Sequence, residues 1–223
     1  MRLNVLCGLG VALVSLCSTA RATVFTFNQD PFAGTAVLQQ AGRQIVANED
    51  FLSFSTAQDV FALDPAIFGT GTTIHFVNAL ASNIPADGVN IVVLETFDND
   101  NNPATPFAAG NAADLIADAI TTPGPGFFIY FNQNLNLPRL VFSTDLSDKT
   151  ADLKILARMV NLTGAEGMAA LPGFTQANFR LASETPEPST LGLSAVFAVM
   201  AAGCCFSRGR HLRSLSGLHK NRT

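Results

Sequence analysis

From Ser189 to Ser207 the chain carries no charged residue, and those nineteen residues at helical rise span roughly 28 Å, close to the hydrocarbon thickness of a bilayer. The apolar run from Leu191 to Phe206 is followed at once by Arg208, Arg210, His211 and Arg213, and a basic flank of this kind stays cytoplasmic. A transmembrane helix over 191–207 and a basic tail over 208–223 are therefore expected, with everything before them held outside. Gly192, Ala195, Ala198, Ala201, Ala202 and Gly203 supply the small side chains that let a second helix approach. Pro186 and Pro188 lack an N–H and favour extended backbone, so 183–190 reads as a stiff, accessible linker.

The other end agrees. Arg2 precedes an apolar run from Leu3 to Cys17, and Ala20 and Ala22 place small residues at the two positions a signal peptidase reads. Residues 1–22 are expected to be a secretory signal peptide cut after Ala22. Leu16, standing before Cys17, does not suit a lipoprotein signal.

Pro186-Glu187-Pro188-Ser189-Thr190, a short apolar helix and an Arg-rich end, in that order, resemble the PEP-CTERM sorting signal of Gram-negative bacteria. The likeness covers Pro186 to about Arg213 and departs from the pattern in the extra tail Ser214–Thr223. The resemblance implies recognition by an exosortase, a membrane-embedded cysteine protease. It also implies brief residence in the inner membrane and delivery to the outer surface or extracellular matrix. A plain membrane anchor is the alternative; it keeps Arg208–Thr223 in the mature chain.

Removing both ends leaves a body over 23–182, enough for one domain with a real core. Charge redistributes on processing. Thr23–Thr185 holds 16 Asp and Glu against 6 Lys and Arg, about −10, whereas the whole chain is −4. Such an acidic exported body disfavours nucleic acid and anionic lipid as partners and is compatible with divalent cations. All four cysteines (Cys7, Cys17, Cys204, Cys205) lie in the two ends, so the body relies on packing rather than disulfides.

Short apolar runs separated by Gly, Pro and Asn, with 18 Phe in the chain, predict a mainly β fold. The expectation is an antiparallel β-sandwich-like domain with one or two short helices, a β-solenoid being the alternative. Thr23–Phe27 reads as an edge strand. Thr35–Leu38, Gln44–Val46 and Phe51–Phe54 read as a meander, Thr72–Val77 as a strand, and Val89–Phe97 as the longest and most central one. Asn111 is placed as the cap of a helix carrying Leu115, Ile116, Ala119 and Ile120 on one face. Phe127–Phe131, apolar on both faces, reads as a strand between layers, paired with Arg139–Ser143 through a loop. Asp152–Leu162 reads as a strand whose spacing also suits a helix, Gly164–Ala170 as a helical turn and Phe174–Leu181 as a closing strand.

Chemistry is sparse. His75 is the body's single imidazole, so a His/Cys zinc site and a Ser/His/Asp triad both lack residues; a half-buried structural role is expected for it. Asp98, Asp100 and Asn102 put oxygens at alternate positions of one loop, making calcium the candidate cofactor, but Pro103 stands where an EF-hand loop needs Gly. A turn closed by Asn and Asp side chains explains the same pattern, as it does Asp145, Asp148 and Asp152. Asn161-Leu162-Thr163 matches a glycosylation sequon, and Tyr130, the single tyrosine, is expected in the core with its hydroxyl satisfied nearby.

These readings converge on an exported surface or matrix protein with a structural or adhesive body. Its expected partners are signal peptidase and exosortase during export, then exopolysaccharide or other matrix components. No catalytic motif is present. The alternative is an exported hydrolase using carboxylates among Asp98, Asp100, Asp145 and Asp148.

Overall fold

The computed structural model describes residues 21–37 and 40–182. The expected linker, transmembrane helix and tail lie outside those residues, with Pro186, Glu187, Pro188, Ser189, Arg208, Arg210 and Arg213, and so does the signal peptide up to Ala20. Among the described residues no helix is long and apolar enough to cross a membrane.

Among the described residues ten strands and three short α-helices follow one another: β1 (Val24–Phe27), β2 (Ile45–Val46), β3 (Asp50–Leu52), β4 (Val60–Leu63), α1 (Pro65–Phe68), β5 (Phe76–Ala79), β6 (Ile91–Leu94), α2 (Ala109–Ala119), β7 (Gly126–Asn132), β8 (Leu137–Ser143), β9 (Leu153–Met159), α3 (Gly164–Ala170) and β10 (Phe179–Leu181). The body is mainly β, as its composition predicts. Its strand directions are not. Only β7–β8 and β8–β9 are antiparallel; the other six pairings are parallel. One sheet has the order β1-β4-β10, and the second has the order β2-β9-β8-β7-β6-β5 with β3 also on β9. Parallel neighbours need a long crossover. The chain provides these by sending β2 and β3 to the large sheet between β1 and β4, and by crossing from β6 to β7 through α2.

The meander expectation fails for the same reason. Ile45–Val46 and Asp50–Leu52 do not pair with each other but lie successively along β9, more than 100 residues downstream, and residues 35–37 form no strand. Nor is the Val89–Phe97 run the longest strand. β6 covers four of its residues and sits next to the edge strand β5, while β7, β8 and β9 have seven each. Dense β-branching there reports burial on both faces rather than length.

The small sheet packs Phe27, Phe61, Leu63 and Phe179 against Phe127, Ile129, Phe131, Leu140 and Phe142 of the large one. Phe54 and Phe61 stack with centroids 4.3 Å apart and planes 10° apart. On the other face, α2 covers Val92, Leu94, Phe128, Tyr130, Val141, Leu153 and Ile155. β7 is buried along its whole length between these two layers, as its two-faced apolarity predicts. The helix begins at Ala109, not after Asn111: Asn111 is its third residue, and its Oδ1 accepts from the Ala108 N–H at 3.0 Å. The side chain does satisfy the helix start, but from inside it.

Opposite β8, Leu140 faces Ala157 and Val141 faces Ile155, leaving Leu156 as the extra residue of a bulge. The bulge resets the alternation of β9. Leu156 and Ala157 both enter the inter-sheet core, and Arg158 emerges on the outer face.

Candidate functional site

Cross-strand register aligns Tyr130 with Arg139, Arg139 with Arg158, and Arg158 with Phe51, so the four share the outer face of the large sheet. Glu49, one residue before β3, reaches into this row. Its Oε1 accepts from Arg139 Nη2 and Arg158 Nε, and its side chain is 3% exposed. Burial alone would raise the Glu49 carboxyl. The hydrogen bond from Arg158, a bond to its own backbone and the charge and bond of Arg139 instead hold it below the usual range. Tyr130 is fully buried, and its hydroxyl accepts from Asn132 Nδ2 at 2.9 Å, as expected from its place in an apolar strand. Burial pushes its phenol above the ordinary value, against the opposing pull of Asn132 and Arg139.

At the outer end of the row the Arg158 guanidinium carbon stands 5.0 Å from the Phe51 ring centroid, and Phe51 is 65% exposed. Ile45 and Val160, at 51% and 43% exposure, are on the same face by register and alternation. The edge of the large sheet thus presents three apolar side chains that α2 does not cover. One rests on a cation already fixed by a buried carboxylate.

On the inward side of the same edge, a cleft of about 380 Å³ opens between the sheets, lined by Asn28, Gln29, Asp30, Asn48, Asp50 and Lys154 among others. Asn48, at φ 80°, turns the chain there. Lys154 Nζ donates to the Ala47 carbonyl at 2.7 Å. Burial lowers the pKa of this ammonium, while Glu49 and Asp50 act to raise it.

The residues singled out by sequence lie elsewhere. Asp98 Oδ1 accepts from the Asp100 and Asn101 N–H groups, Asp100 Oδ1 from Asn102 N–H, and Asn102 Oδ1 from Ala104 N–H. These oxygens turn back on their own backbone instead of converging, so the loop is built as successive Asx turns. The hydrogen bonds from the Thr105 hydroxyl and the Asn102 N–H hold the exposed Asp100 carboxyl below its ordinary value. Among the described residues no group of three or more His, Cys, Asp or Glu side chains is arranged to hold a metal.

Asp145 and Asp148 form a separate turn, in which Asp145 accepts from Ser147 and Gly124 and Asp148 accepts from Thr150. That turn abuts the start of β7, whereas the Asp98 loop follows the end of the parallel strand β6. The four carboxylates therefore do not pair across one cleft. Asp152 is used to receive the Gln44 N–H at 2.7 Å.

His75 is exposed rather than half-buried: it precedes β5, and its hydrogen bonds with Asn90 are made by its backbone N–H and carbonyl. Asn161 clamps Phe54 through both amide atoms, accepting at 2.7 Å and donating at 3.0 Å; its sequon amide is in use. Ala22 is exposed and lies two residues before β1.

Sequence reasoning passed over Glu49, Arg139, Arg158 and Phe51. The available signal was arginine inside the apolar strands β8 and β9, since a charge there requires a countercharge. No family model, curated protein or solved structure matches the chain.

Proposed function

We propose that the chain is an exported surface or extracellular-matrix protein whose two sheets form a sandwich-like structural or adhesive module. In this reading it is cut after Ala22, held by its C-terminal helix, and processed by an exosortase near Pro186-Glu187-Pro188. The observation that carries the adhesive role is Phe51: a large aromatic side chain, mostly exposed, seated on Arg158 beside exposed Ile45 and Val160. An aromatic ring held in place loses little freedom when a partner covers it, which is why fixed aromatics anchor interfaces. The buried Glu49 is held ionised by two arginines, which suits a support for that surface better than a proton donor.

The test has two arms. Intact masses from membrane and extracellular fractions of the native host report sorting: a chain from Thr23 to near Pro188 outside the cell supports it, and a chain reaching Thr223 in the membrane makes the body an anchored ectodomain. Sedimentation of purified Phe51→Ser protein with the host's own matrix reports adhesion. Binding equal to that of the parent chain would remove the proposed surface.

A further inference from the structure

The Thr23 backbone nitrogen donates to Asp59 Oδ1 at 2.7 Å, and the Thr23 carbonyl accepts from Val60 N–H at 2.9 Å. These two bonds start the β1–β4 ladder. Asp59 is 6% exposed, its second carboxylate oxygen accepts the Ser55 N–H at 2.8 Å, and its carbonyl accepts from the Asn178 amide. Among the described residues no Lys or Arg forms an ion pair with it. A buried carboxylate is thus held by neutral amide donors, one of which belongs to the residue immediately after Ala22. Arg21, Ala22 and Thr23 are themselves exposed, so the bond to be cut is accessible from solvent.

We propose that Asp59 is the seat of the mature N-terminus. Hydrolysis of the Ala22–Thr23 peptide bond, with water as co-reactant, leaves a carboxylate on Ala22 and an α-amine on Thr23 that takes up a proton. The neutral N–H on Asp59 Oδ1 becomes an ammonium on the same oxygen. The N–H on a carboxylate is already charge-assisted on the acceptor side; the ammonium adds the opposite charge on the donor side, and it gives the buried carboxylate its countercharge. Processing therefore completes the fold: the uncut precursor carries the same contact without the charge. The inference rests on the reading of residues 1–22 as a signal peptide, and it assigns to the cut a structural consequence that export does not require.

The experiment uses the full chain exported from a bacterial host, together with a variant carrying one alanine inserted between Ala22 and Thr23. Intact mass first establishes where each chain begins. A parent chain starting at Thr23 is expected to melt about 2–4 °C above one starting one residue earlier, because the extension returns Thr23 to a neutral amide. Asp59→Asn keeps an acceptor but removes the charge, and it should erase that difference. The insertion comparison involves no change at Asp59, so it remains decisive if Asp59→Asn does not fold. A parent chain beginning elsewhere overturns the inference at the cleavage step. A chain beginning at Thr23 with the same midpoint as its extended form overturns it at the ion pair.

Discussion

Phe51 lies directly across the β3–β9 ladder from Arg158, with the guanidinium carbon 5.0 Å from the ring centroid. Phe51 is mostly exposed and Arg158 only partly buried, so the pair's own contribution to stability is small, about 0.5–1 kcal/mol for a cation over an aromatic face at a surface site. Phe51→Ser should shift the urea midpoint only slightly while abolishing retention on the host matrix. Comparable losses of stability and retention would mean that the ring serves the fold instead.

Glu49 carries more. Replacing it with Gln leaves Arg139 and Arg158, at 11% and 27% side-chain exposure, sharing a neutral partner. Breaking a buried ion pair in this way costs about 3–5 kcal/mol; Arg158 can turn toward solvent, so the lower end is expected. Because the folded state depresses the Glu49 carboxyl, its contribution is complete above the unfolded glutamate pKa. It declines once pH falls past about 4.3 and is lost below the depressed folded value. The stability gap between parent and Glu49→Gln should therefore be wide at neutral pH and narrow in acid. Chemical denaturation of both proteins along a pH series measures it, and a gap constant with pH would remove the ionic explanation.

Calcium should have little to act on. The oxygens of Asp98, Asp100 and Asn102 are already engaged by backbone N–H groups of the same loop, and binding to the folded state alone would raise the melting midpoint by mass action. Thermal scans with and without millimolar calcium should superimpose. A rise that disappears in Asp98→Ala would instead reinstate the loop as a cation site.

What was legible in the chain was local. Phe127–Phe131 and Arg139–Ser143 could be paired because a short loop joins them, and that hairpin stands as β7–β8. Gly164–Ala170 forms the expected short helix. Partners remote in sequence were not legible. Ile45 and Phe51 alternate as strand residues should, but alternation does not say that both lie on β9 or that they run parallel to it. Glu49 is 90 residues from Arg139 and 109 from Arg158, so only the need for a countercharge could have been inferred. The bulge at Leu156 also reverses which residues of β9 face inward, and no periodicity read across it stays in phase.

Gly126 illustrates a residue type visible in sequence whose reason lies in packing. In the run Thr121-Thr122-Pro123-Gly124-Pro125-Gly126 it looks like one more helix breaker, yet it is the first residue of β7 and is paired with Ser143. A Cβ there would stand 2.4 Å from Leu146 Cδ1 and 2.6 Å from the Asn90 carbonyl oxygen. The leucine can rotate away. The carbonyl cannot, because it accepts the Phe127 N–H at 2.9 Å and so ties the start of β7 beside β6. Gly126→Ala should cost about 1–3 kcal/mol as an overpacked site, measured by urea denaturation. Adding Leu146→Ala tests which contact dominates: removing the side-chain clash alone should leave the β7 amides near Phe127 exchanging faster than in the parent. Full recovery of amide protection in the double variant would show that the carbonyl yields and that the leucine sets the constraint.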